Sequence, residues 1–208
     1  MNETATWLMH DANNEDPRVE PLGQSGIMTP TRVLLGKYRL GRLLGEGGMG
    51  AVYEAEHLGL GTPVAVKMLN DRFVADPKSQ VRFRREARAA AAVRHPNVVA
   101  VTDTGTDEEG LPFIVMERLE GESLASVLRR KRVLPYTVAS AVATQVLAGL
   151  EAAHTRGVMH RDLKPGNIFI TQSNDGQYCV KIVDFGISKF TDDCRDGEVT
   201  ADGALLGT

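Results

Sequence analysis

"VMHRDLKPGNIFI", Val158 to Ile170, is the stretch on which the reading of this chain turns. Between apolar flanks it sets an imidazole, a guanidinium, a carboxylate, an ammonium and a carboxamide: His160, Arg161, Asp162, Lys164 and Asn167. Burying such heads is costly unless each has a partner or a task. The run therefore demands a task that uses a carboxylate at 162, an ammonium two residues on and a carboxamide five residues on.

Three shorter runs carry chemistry elsewhere. Gly45-Glu46-Gly47-Gly48-Met49-Gly50-Ala51-Val52 fits the pattern G-x-G-x-x-G-x-V. Its glycines let a backbone approach phosphate oxygens closely. Read alone, it fits a ligand-free glycine-rich turn as well. A dinucleotide-binding turn fits worse, because that fold wants a helix directly after the glycines and "AVYEAEH" reads as a strand. Val64-Ala65-Val66-Lys67 puts an ammonium in an apolar strand, where an alternating solvent-facing Lys is the plain alternative. Glu86 shares a helix face with Phe83 and Ala90. A carboxylate there needs a cation, and either Lys67 or a neighbouring arginine supplies one. Asp184-Phe185-Gly186 is a tripeptide common by chance when taken alone.

The rest of the chain frames these runs. Residues 1–36 are rich in Asp, Glu, Asn, Pro and Gly and are expected to be a disordered tail, with Trp7, Leu8 and Met9 as its apolar exception. Order is expected from near Tyr38, with short strands broken by glycines. A helix follows over "SQVRFRREARAAAAVRH", ended by Pro96. "NVVAVTDTG" and "LPFIVMERLE" read as two strands around "TDEEG". "GESLASVLRRK" reads as a short helix capped by Ser123. "PYTVASAVATQVLAGLEAAHTRG" reads as a long helix with Val138, Val142, Val146, Leu150 and Ala153 on one stripe and Gly157 at its end. "IFI" and "VKIVDF" are short strands around "SNDGQ". Strands with one helix, then helices with a few short strands, predict an α+β fold of two lobes.

The totals exclude several classes. The 208 residues suffice for one domain or two small lobes. An apolar fraction of 42% and a charged fraction of 25% are those of a soluble globular chain, and a formal charge of -3 implies no polyanion partner. Arg82, Arg84, Arg85, Arg88 and Arg94 face Glu86 alone in their segment; a solvated helix face is expected there rather than a nucleic-acid surface. Cys179 and Cys194 have no metal-ligand spacing, which suits a reducing compartment. No apolar run approaches the roughly 18 residues that cross a bilayer, and no apolar core of a secretory signal opens the chain. The cytoplasm is the expected location.

His160-Arg161-Asp162-Leu163-Lys164-Pro165-Gly166-Asn167, taken in order with the glycine run, the Val64–Lys67 run and Asp184-Phe185-Gly186, resembles the signature set of the protein kinases. Lys164 after "RDL", "GEGGMGAVYEA" and "HRDLKPGNIFI" resemble the eukaryotic-like serine/threonine kinases of bacteria. The resemblance runs from about Tyr38 to Thr208. It implies a small lobe over 37–118, an antiparallel sheet plus one helix, and a helical, partial large lobe over 119–208.

By that resemblance Gly45, Glu46, Gly47, Gly48 and Gly50 cover the triphosphate of ATP, and Lys67, held by Glu86, contacts its α- and β-phosphates. Asn167 and Asp184 hold Mg²⁺, a hard ion that suits carboxylate and carboxamide oxygens. Asp162 acts as base on the substrate hydroxyl, and Lys164 steadies the γ-phosphate. Val52 and Ala65 lie above the adenine and Phe169 below it. Met116 guards the back of the pocket, and the backbone of Glu117 and Leu119 meets the adenine edge. His160 packs on Phe185, and Arg161 receives a phosphothreonine. Of the activation-segment hydroxyls, Thr200 is the expected phosphosite, with Thr191 behind it. Ala204 stands where many family members carry that Thr, and Thr208 is expected to be structural. The implied partners are a protein substrate with Ser or Thr, and a second copy for autophosphorylation in trans; no nucleic acid or membrane segment is expected.

Kinases continue from "GT" into further helices, and this chain stops at Thr208, inside the activation segment. On that reading the 208-residue chain is expected to be poorly folded and nearly inactive, a shortened gene product or a fragment. Two function classes stay open: a serine/threonine kinase, and a catalytically weak kinase-like module that binds nucleotide or a regulatory partner.

Overall fold

The computed structural model describes residues 32–47, 50–70, 77–172 and 178–185. A six-stranded sheet comes first, built from β1 (Val33–Leu34), β2 (Tyr38–Gly47), β3 (Gly50–His57), β4 (Thr62–Leu69), β5 (Val101–Thr106) and β6 (Pro112–Glu117). Its order is β1-β2-β3-β4-β6-β5, antiparallel throughout. Helix α1 (Pro77–Ala91) packs on β5 and β6. Then come β7 (Gly121–Ser123), α2 (Leu124–Lys131), α3 (Tyr136–His154), β8 (Ile168–Gln172) and β9 (Tyr178–Ile182). Strands β7-β8-β9 form a second, three-stranded sheet.

β4 shows why the larger sheet reads as it does. Six consecutive residues, Val64 to Leu69, are buried, because both faces of the sheet are covered. Val64, Val66 and Met68 face a cluster with Leu34, Tyr38, Phe113 and Val115. Ala65 and Leu69 face the opposite cluster with Phe83, Ala87, Ile114 and Met116. The period of two puts Lys67 on the side of Ala65 and Leu69, toward α1, where it is only 7% exposed. The solvent-facing alternative for Lys67 is thereby removed. Full burial of Phe83 and Phe113 contributes roughly 1.5–3 kcal/mol each.

A second core binds the helices to the smaller sheet. The α3 stripe Val138, Val142, Val146 and Ala153 is buried against Ile168, Ile170, Val180 and Ile182. Gly149 belongs to the same face: a Cβ there would stand 2.9 Å from the Asn97 carbonyl oxygen, so α3 lies close on the backbone of residue 97. Gly157 follows the helix with φ +70°, and Ser123 Oγ caps α2 by accepting the Ser126 amide at 3.2 Å.

The structure departs from the sequence expectations at element ends. Chain order includes β1, inside the stretch read as a disordered tail. Leu34 there is 1% exposed, but two residues are too few for a period to show. Helix α1 stops at Ala91 rather than reaching His95. Residues 97–99 do not extend β5; Val99 N and Asn97 O bond to Ile182 of β9, each at 2.9 Å. β9 ends at Ile182 and not at Phe185, because Asp184 turns into positive φ (61°). The sequence shows no strand before the Ser123 cap; β7 forms there because its pairing with β8 depends on chain distant in sequence. No helix among the described residues is long and apolar enough to cross a membrane.

Candidate active site

The loop between α3 and β8 is held by its own polar heads. His160 is 3% exposed, and its ring stacks at a tilt on Phe185 with centroids 4.8 Å apart. Its Nε2 lies 2.9 Å from the Val183 carbonyl oxygen, and its Nδ1 accepts the Asp162 amide at 3.3 Å. A carbonyl only accepts and an amide only donates, so the ring is neutral with its proton on Nε2. Burial pushes its pKa below the ordinary value, against the bond to Val183 and the nearby Asp184 and Asp162 carboxylates. A neutral, doubly engaged ring is a strut. Arg161 follows with φ +62°, an unusual angle for a side-chain-bearing residue, and stays exposed.

Asp162, Lys164 and Asn167 converge. Lys164 Nζ stands 2.8 Å from Asp162 Oδ2. Asn167, in the 3₁₀ turn Pro165–Asn167, donates from Nδ2 to the Asp162 carbonyl at 2.9 Å and to Oδ2 at 3.3 Å. The Lys164 hydrogen bond is the main reason the Asp162 carboxyl sits below its ordinary value; Asn167 adds to it and partial desolvation opposes it. Asp162 is thus a carboxylate at neutral pH.

The segment after β9 brings the second acid to the same place. The Val183 amide bonds to the Asn167 carbonyl at 3.0 Å, while its own carbonyl takes His160. Asp184 follows and pairs through Oδ1 with Lys67 Nζ at 2.7 Å. Lys67 was expected to be held by Glu86; its described partner is Asp184, and the Glu86 side chain lies outside the described residues.

The glycine run is a hairpin, with Gly45 opposite Val52, Glu46 opposite Ala51 and Gly47 opposite Gly50. Its glycines differ in kind. A Cβ on Gly50 would overlap the Met68 carbonyl oxygen of β4, so Gly50 serves sheet packing. A Cβ on Gly45 or Gly47 would meet nothing within 4 Å, leaving that backbone open to a ligand. Gly48 and Gly186 lie outside the described residues, as do Thr191, Thr200, Ala204 and Thr208.

Val52, Ala65, Met116 and Leu119 fall in one apolar cluster, joined by Val183. Phe169 is half-buried on β8 opposite Lys181 and is not among the side chains packed there. The Glu117 amide is engaged by the Ala100 carbonyl at 2.9 Å, so that donor is not open to an adenine edge; among the described residues Leu119 has no hydrogen bond.

Sequence reasoning missed two polar hubs. Glu117 Oε1 accepts both the Ala100 amide and Lys181 Nζ at 2.7 Å, clasping β6 to β9. Asn97, 8% exposed, donates to Gln145 Oε1 at 2.9 Å and to the Val180 carbonyl at 2.8 Å. The available signal was the one that exposed Lys67: a polar head inside an apolar run, here "NVVAV" and "YCVKI".

Asp184 Oδ2 and Asn167 Oδ1 have no hydrogen bond among the described residues. Two such oxygens fit Mg²⁺, which takes most of its ligands from phosphates and water. Among the described residues no group of three or more His, Cys, Asp and Glu forms a full protein cage.

Comparison with known proteins agrees with this geometry. The chain is 42% identical over 173 residues to "Serine/threonine-protein kinase pkn3" of Myxococcus xanthus, covering 83% of this chain and 32% of that protein. It is 45% identical over 175 residues to "Serine/threonine-protein kinase PknH" of Mycobacterium tuberculosis, covering 84% of this chain and 27% of that protein. The chain thus spans about a third or less of the length of these relatives. The crystal structure of the M. tuberculosis PknI kinase domain superposes with a TM-score of 0.67 at 33% identity, over 76% of this chain and 62% of that one. The family model of the protein kinase domain matches residues 38–202, and with the converging Asp162, Lys164, Asn167 and the Lys67–Asp184 pair it places this chain in the protein kinase family, with bacterial serine/threonine kinases among its relatives.

Proposed function

We propose that this site transfers the γ-phosphate of ATP to Ser or Thr hydroxyls of a protein. One observation carries the reading: Asp162 is a carboxylate kept ionised by Lys164 and Asn167, and the Val183 amide on the Asn167 carbonyl brings up Asp184, which pairs with the buried Lys67. Phosphoryl transfer asks for positioning and charge neutralisation more than for covalent chemistry. Mg²⁺, when bound, would neutralise charge on the phosphate oxygens, and Asp184 and Asn167 would hold it. Lys67 gives up part of its pairing with Asp184 to meet phosphate oxygens. The backbone at Gly45 and Gly47, open where a Cβ would project, lies over the phosphates. Val52, Ala65, Met116 and Leu119 take the adenine, with the Leu119 backbone facing its edge.

Asp162 accepts the hydrogen bond of the substrate hydroxyl and orients its oxygen for attack; the hydroxyl proton passes to this carboxylate. Lys164, exchanging Asp162 for the γ-phosphate, stabilises the charge that develops there. Arg161, exposed and adjacent, is the acceptor for a controlling phosphate at Thr200, with Thr191 next in line. The small and large lobes divide at 118/119.

The test is transfer of labelled γ-phosphate to a Ser/Thr protein substrate. Asp162→Asn is expected to lower turnover by about 10²–10⁴-fold while leaving Mg²⁺-dependent nucleotide binding in place. Unchanged turnover overturns the role of Asp162, phosphotyrosine as the main product overturns the hydroxyl specificity, and nucleotide binding without any transfer by the wild type favours a non-catalytic module.

A further inference from the structure

The outer face of α1 is a surface that phosphoryl transfer does not use. Phe83, Ala87 and Ala90 turn inward. Val81, Arg84, Arg85 and Arg88, at i, i+3, i+4 and i+7, form one outward stripe and line a shallow, open depression. Val81 is 65% exposed. Arg85 and Arg88 are exposed and, among the described residues, have neither a hydrogen bond nor an ion pair. Two like charges three residues apart repel on a helix, so the stripe favours an anionic cover that also offers apolar surface.

The chain carries a segment with that chemistry. Residues 1–20 hold Glu3, Asp11, Glu15, Asp16 and Glu20 against Arg18 alone, with the apolar run Trp7-Leu8-Met9 between Glu3 and the other acids. The first described residue shows where this segment departs from the fold. Arg32 reaches Asp107 and, at 2.8 Å, Glu109, both on the turn between β5 and β6. Those are the strands on which α1 packs. The 15 residues between Asp16 and Arg32 span roughly 20 Å as a random chain and about 50 Å at full stretch. The 15-residue helix is about 22 Å long, less than half that full stretch.

We propose that residues 3–20 dock on the α1 stripe of the same chain. Trp7, Leu8 and Met9 cover Val81 and the methylene stems of the arginines, and the carboxylates pair with Arg85 and Arg88. The other cationic run, Arg129 to Arg132, is already partly neutralised, since Arg130 pairs with Glu122. The docking stands whether or not the site transfers phosphate. It is screened by salt, as exposed ion pairs are.

Trp7 is the single tryptophan of the chain, so its emission reads the contact directly. In the full chain at low salt its emission is expected blue of free indole and protected from acrylamide. Arg85→Glu with Arg88→Glu should shift it to the red and expose it to the quencher, and added salt should do the same. Asp11→Asn, Glu15→Gln and Asp16→Asn together should reproduce that shift from the tail side, which keeps the test valid if the helix variant fails to fold. The control Arg129→Glu with Arg132→Glu should leave Trp7 unchanged. Emission already at free indole in the wild type overturns the proposal, as does a shift only in the control variant. A shift that depends on protein concentration assigns the stripe to a second copy and overturns the intramolecular contact. An RNA or DNA oligomer that binds through Arg85 and Arg88 while Trp7 stays exposed also overturns it.

Discussion

Lys181→Met isolates the clasp between the end of β6 and β9. Lys181 Nζ lies 2.7 Å from Glu117 Oε1, with side chains 16% and 31% exposed. The same oxygen accepts the Ala100 amide at 2.7 Å. Removing the ammonium leaves the carboxylate with that one donor, in a setting where water replaces the lost partner only in part. A charge-assisted hydrogen bond contributes about 1.5–3 kcal/mol. The residual exposure of Glu117 screens it, so a loss of about 1–2 kcal/mol is expected. Met keeps most of the aliphatic stem, so little of that loss is packing. The assay is urea unfolding followed by circular dichroism for the wild type, Lys181→Met, Glu117→Gln and the double variant. Gln keeps an oxygen for Ala100 and removes only the charge. The cycle should return a coupling energy of about 1 kcal/mol or more; additivity within about 0.3 kcal/mol would refute the clasp.

Other outcomes follow from single contacts. Gly50→Ala should destabilise the fold, because its Cβ overlaps the Met68 carbonyl, whereas Gly45→Ala should leave the unfolding midpoint near the wild type and weaken nucleotide binding; equal stability losses in thermal melts would contradict the division. Asn97→Ala removes one buried and one half-buried bond and leaves the Val180 carbonyl without that donor, so chemical denaturation should show a loss of about 2–4 kcal/mol. The folded pKa of His160 lies below its unfolded value near 6.5, so the unfolded chain takes up that proton first. The stability of the neutral ring is complete above that value and drains as pH falls from it toward the lower folded pKa. The urea midpoint should therefore drop more steeply as pH falls below about 6.5 in the wild type than in His160→Asn.

The motifs were legible in the linear chain because phosphate chemistry restricts residue types at short spacing. Asp162, Lys164 and Asn167 lie within six residues, and one loop suffices to bring their heads together. The α3 stripe and the Ser123 cap were legible for the same reason, since a helix repeats its contacts every three or four residues. Pairings across long separations were not. Lys67 and Asp184 stand 117 positions apart in the chain, and burial on the α1 side of β4 together with the turn at Asp184 selects this described partner. Glu117 reads as the end of an apolar strand until β9 delivers Lys181 to it, and Asn97 as the start of a strand until α3, thinned at Gly149, lies against it. The two inner glycines of the hairpin and Gly50 look alike as letters; the adjacent strand β4 separates them, because steric overlap depends on what stands opposite in space.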